Sequence, residues 1–447
     1  MPEKNPANQE PIASGSRRNF IKDSSLLFAG GAIVGGSLNV ARAAHAFGTD
    51  LIKVGLIGCG GRGTGAADQA LSTGGGDVRL TAMADVFERN AQSAYRSLNG
   101  KHRGKVDDNK FVGLGAYKAV LASDVDLVIL ATPPGFRPLH FEKAIEAGKH
   151  VFMEKPVAVD APGVRRVLAA GKLAETKGLA VEVGLQRRHE FRYQECLAEL
   201  HAGAIGTPMF ARAYWNAAGV WTRPRRKEQT ELEYQLSNWY YFNWLCGDHI
   251  NEQHIHNLDV INWVMNGHPT EAQGQGGREV RKGSQVGQIF DHHMVEFTYG
   301  SGAKMLSQCR QIPGCWAEVA EHVHGLKGHC DVSAAKIYDL SGKLTWESKA
   351  KEISGRGWQQ EHNDLFAALR SGEVPNETQY AAESTMTAIL GRMATYSGKL
   401  LKWEDAFNSD ISLGDPDALQ SLDDPAPVLP DIYGEYPVAI PGKTKVV

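Results

Sequence analysis

The sequence predicts an α/β protein with an N-terminal Rossmann dinucleotide-binding domain and an α+β domain built on an open, mainly antiparallel sheet. An apolar run at 51–57 leads directly into a glycine-rich turn at 58–63, and a second apolar run ends at Asp85. Apolar runs of this length are typical of buried parallel strands. From 271 to 346, alternating segments separated by glycine turns indicate antiparallel strands.

Length and composition limit the function classes. At 447 residues the chain has room for two or three domains. A formal net charge of −3, without a long basic run, argues against a nucleic-acid partner. The six cysteines form no CxxC pair and no zinc-binding spacing, so we expect neither an obligatory disulfide nor a metal site.

The first 46 residues predict an export signal. The segment 16–22, SRRNFIK, resembles the twin-arginine signal, an apolar region follows at 26–40, and Ala44-His45-Ala46 fits the small-x-small cleavage rule. We therefore expect a periplasmic protein without membrane insertion after the signal is removed. Export of a folded chain makes sense if a cofactor from the cytoplasm travels inside it.

The glycine-rich turn is a candidate dinucleotide site. Gly58-x-Gly60-x-x-Gly63 joins a strand to a helix-compatible segment. A tight turn needs glycine where a Cβ would clash, and a pyrophosphate binds bare backbone N–H groups at a helix N-terminus. Asp85 follows about 20 residues beyond the last glycine, where a carboxylate holds the ribose hydroxyls. Its charge favours NAD over NADP, although Arg89 leaves NADP open.

Two further strand ends carry candidate site residues. The apolar strand at 125–131 ends at Thr132-Pro133, and the strand at 150–153 runs into Glu154-Lys155-Pro156. A lysine at the carboxyl end of a parallel strand lies where α/β sheets bind ligands. The predicted cofactor-binding residues are Gly58, Gly60, Gly61, Arg62, Gly63, Asp85, Thr132, Pro133, Glu154 and Lys155.

These motifs together resemble the glucose–fructose oxidoreductase/inositol dehydrogenase family (Gfo/Idh/MocA). The segments VGLIGCGGRG, ADV, ATPP and EAGKHVFMEKPVAVD carry the resemblance, which extends over 51–405. It implies that Lys155 lies beside the nicotinamide and orients the substrate hydroxyl, and that a cis peptide bond precedes Pro156. One position departs from the family, because Arg137 stands where members often carry a histidine.

Five segments follow from these motifs and from the resemblance. They are a signal peptide at 1–46, a Rossmann domain at 47–180, an α+β substrate and oligomerisation domain at 181–375, a helix returning to the Rossmann domain at 376–405, and an extended C-terminal arm at 406–447.

The segment 243–259 is the predicted chemical centre of the second domain. Residues three and four apart share a helix face, so Glu252, His256 and Asp259 are expected to line up. An imidazole whose tautomer is held by a carboxylate suits a general base for a sugar hydroxyl. The family pattern Asp-x-x-x-His-x-x-Asp maps onto the same three residues, with Glu252 in place of Asp. Lys155, His256, Glu252 and Asp259 are therefore the predicted catalytic residues.

Substrate contacts are less sharply defined. The resemblance places the strand end at Arg187 and Arg188 beside the substrate pocket, and the alternating strand ending at Trp215-Asn216 offers a stacking face for a sugar ring. The basic loop at 223–227 is either solvated or a clamp for an acidic sugar.

Function follows mainly from the resemblance. We expect an NAD(P)-dependent oxidoreductase that transfers hydride between a sugar or sugar derivative and a tightly bound nicotinamide cofactor. Two alternatives remain open: an NAD-assisted glycoside hydrolase acting by oxidation, elimination and reduction, or a sugar-binding protein without catalysis. The open sheet of the family also implies a homo-oligomer, a dimer or a tetramer.

Overall fold

The computed structural model describes residues 51–351 and 357–447. The predicted signal peptide at 1–46 lies outside the described residues. Among the helices of the described part, none combines the length and the apolarity needed to cross a membrane.

Six parallel strands form the first sheet. They are β1 (Ile52–Ile57), β2 (Val78–Asp85), β3 (Lys110–Val112), β4 (Leu127–Leu130), β5 (His150–Met153) and β6 (Val181–Val183), and the helices of this region are α1 (Gly61–Leu71), α2 (Glu88–Lys101), α3 (Ala116–Ala122), α4 (Arg137–Glu146) and α5 (Ala161–Lys177). The order β3-β2-β1-β4-β5-β6 confirms the predicted Rossmann-type sheet. Because the order reverses between β1 and β4, their carboxyl ends open the crevice where such folds bind ligands.

The central strands of this sheet are apolar on both faces because helices cover both faces. Leu56 and Ile129 are register partners on β1 and β4, and neither has exposed surface. On α1, Ala66 and Ala70 are fully buried, and such small side chains let the helix lie close to the sheet. The strand ends that carry the predicted site are therefore held by a close-packed core.

The second sheet has nine strands and open edges. Its strands are β7 (Pro208–Ala217), β8 (Pro269–Gly277), β9 (His292–Tyr299), β10 (Lys304–Gln311), β11 (Glu318–Gly325), β12 (Gly328–Asp331), β13 (Lys336–Asp339), β14 (Leu344–Glu347) and β15 (Leu401–Lys402). The order is β14-β13-β12-β11-β7-β10-β9-β8-β15. Strands β7 and β10 pair in parallel, and the other pairs are antiparallel, so the predicted open, mainly antiparallel sheet is confirmed.

Short helices connect the two sheets. They are α6 (Phe191–His201), α7 (Glu231–Ser237), α8 (Asn243–Cys246), α9 (His249–Glu252) and α10 (Ile255–Met265), with 3₁₀ turns at Pro134–Phe136, Gln186–His189 and Trp239–Tyr241. The helix predicted through 259 is broken, since α9 ends at Glu252 and α10 begins at Ile255. Glu252 therefore does not share a helix face with His256 and Asp259, and that prediction is wrong.

The chain then returns to the first sheet. The last helices are α11 (Gly357–Ser371), α12 (Thr378–Ser397) and α13 (Trp403–Phe407), with a 3₁₀ turn at Pro416–Ala418. Helix α12 approaches α5 so closely that a Cβ on Gly171 would lie 2.6 Å from the Thr378 side chain. Beyond α13 the chain is mostly extended, and Asp417 there accepts hydrogen bonds of 2.6 and 3.1 Å from Arg166 of α5.

A candidate dinucleotide cleft and catalytic cluster

A cleft of about 650 Å³ lies at the carboxyl ends of β1, β2 and β4. We call it the dinucleotide cleft. Seven of the predicted cofactor-binding residues line it: Gly58, Gly60, Gly61, Arg62, Asp85, Thr132 and Pro133. The other three, Gly63, Glu154 and Lys155, are not among the lining residues.

Of the four glycines in the turn, two leave no room for a Cβ and two lie beside open space. Gly58 has a φ of +100°, and its Cβ would lie 2.6 Å from the Ala131 carbonyl carbon. A Cβ on Gly63 would lie 1.8 Å from the Gly58 oxygen. By contrast, a Cβ on Gly60 or Gly61 would meet no atom within 4 Å. The turn therefore leaves a bare cradle at the N-terminus of α1, which fits a pyrophosphate.

Asp85 holds this turn in place at the end of β2. Its carboxylate accepts hydrogen bonds from the backbone N–H groups of Cys59 and Phe87, both at 2.8 Å, and from the Asn90 amide at 3.0 Å. Burial raises the pKa of the Asp85 carboxyl. Each carboxylate oxygen can accept more than one hydrogen bond, so the group can also receive ribose hydroxyls.

The outer wall of the cleft was missed by sequence reasoning. Trp221, Arg223, Leu236 and Trp239 line it from the segment between β7 and α8. The two tryptophan rings pack edge to face at 6.4 Å, and the Arg223 guanidinium lies 4.7 Å from the Trp221 ring centroid. Aromatic residues at 239–244 were the available signal, but their sequence position does not reveal a partner in the other domain.

The structure also assigns places to the arginines of the basic loop. Arg223 lies on the cleft, whereas Arg225 pairs with Glu231 at 2.9 Å and Arg226 pairs with Glu233. Two of the loop's charges are thus neutralised within the chain.

Arg137 occupies the position where the sequence departs from the resembled family. It is buried on α4 and donates hydrogen bonds to the backbone oxygens of Thr132 and Pro156. Burial lowers the pKa of its guanidinium to about 10, against the opposing pull of the Glu154 and Glu252 charges. Arg137 thereby fastens the ends of β4 and β5 to each other.

Lys155 connects the two domains. The peptide bond between Lys155 and Pro156 is cis, as the resemblance implied. The Lys155 ammonium donates to the backbone oxygen of Glu252 at 2.6 Å and lies 3.2 Å from the Glu252 carboxylate. Burial raises the pKa of the Glu252 carboxyl, and the Lys155 charge opposes this. The predicted catalytic residues Lys155 and Glu252 are therefore in contact, though not in the predicted arrangement.

Among the residues that the structure describes, no carboxylate is paired with His256. Burial lowers the pKa of its imidazole well below the usual value, and the Lys155 and Arg187 charges lower it further, so the ring is neutral at pH 7. Its Nδ1 atom is buried without a hydrogen-bond partner. This corrects the prediction that Glu252 or Asp259 supports His256.

The Asp259 carboxylate pairs with Arg188 instead of His256. Arg188 donates to both Asp259 oxygens at 2.8 and 3.0 Å, Ser384 donates to the same carboxylate at 2.8 Å, and the Arg188 guanidinium lies over the Tyr380 ring at 3.8 Å. Both predicted roles, Asp259 as a partner of His256 and Arg188 as a substrate contact, are therefore replaced by a buried ion pair.

The remaining predicted substrate residues lie closer to His256. The Trp215 ring stacks beside the imidazole, with centroids 6.0 Å apart and an angle of 25° between the rings. Asn216 is buried, and its side-chain nitrogen has no hydrogen-bond partner. Arg187 pairs with the buried Glu321, which also accepts a hydrogen bond from Tyr193 at 3.2 Å.

Comparison with known proteins identifies the first domain. Residues 52–185 match the family model described as "Oxidoreductase family, NAD-binding Rossmann fold", Gfo/Idh/MocA. Inositol 2-dehydrogenase 4 of Saccharopolyspora erythraea is 33% identical over 168 residues, which cover 37% of this chain and 46% of that protein. An inositol 2-dehydrogenase of Acidothermus cellulolyticus is 28% identical, with 58% of that protein covered. The chain thus spans about half the length of these curated relatives.

Solved structures extend the similarity to both domains. An oxidoreductase domain protein from Kribbella flavida has a TM-score of 0.64 at 18% identity, covering 78% of this chain and 98% of that one. A levoglucosan dehydrogenase solved with NADH and levoglucosan has a TM-score of 0.61 at 16% identity, covering 79% and 99%. At these identities the likeness establishes the fold. The likeness confirms the predicted fold class, and the family match covers the NAD-binding part at 52–185.

Two glycine variants separate the turn's structural role from its binding role. Gly63→Ala places a Cβ against the Gly58 oxygen and is expected to lower the thermal unfolding midpoint. Gly60→Ala adds a methyl group to the open cradle. It should keep the wild-type midpoint and bind NAD at least about tenfold more weakly, a loss of about 1.4 kcal/mol.

Calorimetric titration of each folded, nucleotide-free variant with NAD measures this difference. Wild-type NAD affinity in Gly60→Ala would contradict the assignment of the cradle.

Proposed function

We propose that the protein is an oxidoreductase of the Gfo/Idh/MocA type, whose family model residues 52–185 match, and that it transfers hydride between a carbohydrate hydroxyl or ketone and a bound nicotinamide cofactor. One observation carries this proposal. Lys155, at the end of β5, reaches across from the first domain to Glu252 of the second, beside the strand ends that form the dinucleotide cleft. A substrate between the two domains meets both the cofactor and these polar groups.

The proposed chemistry divides the work between the bound cofactor and two side chains, Lys155 and His256. The bound nicotinamide supplies the hydride acceptor. Lys155, held against Glu252, donates a hydrogen bond to the substrate oxygen and stabilises negative charge as the hydroxyl loses its proton. Neutral His256 accepts that proton, and its low pKa keeps it in the accepting form at pH 7.

A carbohydrate is the substrate class that the neighbours of the site favour. The Trp215 ring beside His256 offers an apolar face to a sugar ring, while Lys155 and Glu252 address its hydroxyl groups. The names of the relatives point the same way, since they are dehydrogenases of inositol and of the anhydrosugar levoglucosan.

We further propose that the cofactor is resident and that the protein works after twin-arginine export. Free NAD is not expected outside the cytoplasm, so the nucleotide has to stay bound and be recycled by a second substrate. The wall formed by Trp221, Arg223 and Trp239 supports retention, because it adds aromatic and basic side chains to the cleft that the glycine turn also lines.

We also propose that the outer face of the open sheet pairs with a second copy. Met294 on β9 is an apolar residue of this face, with 48% of its surface exposed. A dimer or a tetramer is the expected assembly.

The nucleotide content of the purified full-length protein tests the proposed function. Denaturation is expected to release about one nicotinamide dinucleotide per chain, because the cleft is walled on both sides. Adding inositol or levoglucosan to the native protein should then raise its absorbance at 340 nm as the bound nucleotide is reduced.

Cleavage of a glycoside without lasting reduction of the nucleotide would favour the oxidation–elimination–reduction alternative. A protein that neither contains nor binds NAD would contradict hydride transfer and favour the sugar-binding alternative.

The pH profile tests the role of His256. Because the pKa of its imidazole is lowered well below 6.5, the proton-accepting form persists as the pH falls, and kcat/KM for hydroxyl oxidation should stay level from pH 8 down to about 6. His256→Asn should lower kcat by about 10² to 10⁴ and leave NAD binding intact. A fall in the wild-type kcat/KM centred near pH 6.5 would contradict a buried neutral histidine.

A further inference from the structure

A second cluster of titratable side chains lies behind the sheet edge at β6, apart from the dinucleotide cleft. We propose that Glu182, His189 and Glu377 bind a divalent transition-metal cation. No role in the hydride chemistry above uses these residues, and the proposal stands independently of it.

The distances within the cluster suit one small cation. The candidate ligand atoms of the three residues all lie within 4.8 Å of one another. His189 Nε2 is 3.4 Å from Glu182 Oε1 and 3.4 Å from Glu377 Oε1. Two ligand atoms that are each about 2.1 Å from a tetrahedral metal lie about 3.4 Å apart. The imidazole nitrogen therefore already lies at the separation from each carboxylate that a bound metal imposes.

The surrounding hydrogen bonds orient these ligands. His189 Nδ1 lies 2.7 Å from the Asp364 carboxylate, so a proton on Nδ1 leaves the lone pair of Nε2 facing the two glutamates. A metal-binding histidine characteristically donates its other N–H to a carboxylate in this way. Glu377 in turn accepts a hydrogen bond of 2.8 Å from the Val183 backbone with its second oxygen.

Unpaired buried atoms point to a missing cation. Glu182 Oε1 and His189 Nε2 lie 3.4 Å apart in an ion-pair contact, but within the described part of the chain neither has a partner with hydrogen-bond geometry. The same holds for both oxygens of Glu361, whose side chain is fully buried on α11 close to the cluster. Four carboxyl groups, at 182, 361, 364 and 377, interact with His189. Arg62 also acts electrostatically on Glu361, but it forms an ion pair with Glu154 at 3.0 Å. Buried carboxylates normally require a positive charge close by, and a divalent cation bound to the cluster would supply that charge.

The donor set indicates the class of metal. Imidazole favours zinc and neighbouring transition metals, while carboxylates suit manganese as well, so Zn²⁺ and Mn²⁺ are the cations to test. Asp364 is 42% exposed and gives the cluster access to solvent. The ligands come from β6, from the turn at Gln186–His189 and from the residue before α12. A bound metal would fasten the returning helices to the edge of the Rossmann sheet.

The competing occupant is a proton on His189 Nε2, which would make the cluster a buried imidazolium with carboxylate partners. Metal analysis of the untagged, full-length protein separates the two. After loading with Zn²⁺ or Mn²⁺ and removal of the excess, the wild type is expected to hold about one equivalent per chain. Stripping with a chelator should lower the thermal unfolding midpoint, and returning the metal should restore it.

Two variants and a control locate the metal. His189→Gln and Glu182→Gln should each weaken metal binding by about 10- to 100-fold or more, while His201→Gln, at an exposed histidine outside the cluster, should bind like the wild type. Loading the wild type with Co²⁺ should give the visible absorption of a tetrahedral site, which does not depend on how the variants fold.

A wild type that retains no Zn²⁺ or Mn²⁺ and shows no midpoint shift would overturn the proposal and leave the imidazolium. Equal metal retention by His189→Gln would overturn the assignment of the ligands.

Discussion

The contact between Lys155 and Glu252 joins the two domains at the proposed reaction site. Lys155 belongs to the end of β5 and Glu252 to α9, and the lysine ammonium meets both the backbone oxygen and the carboxylate of its partner. Either charge alone would be costly at this depth, since only about 12% of the lysine and 13% of the glutamate side chain is exposed. The Lys155–Glu252 pair therefore forms only when the two domains are packed together. The position of the proposed hydride transfer depends in turn on this pair.

Other buried polar links set the ends of the strands that surround this pair. Arg137 ties the end of β4 to the turn after Pro156, and Asp85 ties the end of β2 to the glycine turn. Each link satisfies backbone groups that would otherwise be buried without partners. Arg137 stands where members of the resembled family often carry a histidine. It stabilises the cleft without contacting the reacting groups of our proposal.

The sequence predicted what local signals determine. The glycine turn, the strand ends at Asp85 and Lys155, and the open antiparallel sheet all follow from motifs and alternation within short windows. The break after Glu252 was missed because the His254 N–H bonds to the His249 oxygen, five residues back instead of four, and this irregular turn leaves no local sequence signal. The Arg188–Asp259 pair joins residues 71 positions apart, and the cleft wall at Trp221 meets a different domain. Such pairings follow from tertiary packing, which spacing along one chain does not reveal.

Transfer of a labelled hydrogen tests hydride transfer most directly. The protein is incubated with a substrate polyol deuterated at its oxidised carbon, and the bound nucleotide is then released and weighed by mass spectrometry. We expect NADH that carries one deuterium from the wild type, and no deuterated NADH from Lys155→Met with its cofactor still bound. Reduced nucleotide without the label, or no reduction by any polyol that binds, would contradict hydride transfer at this site.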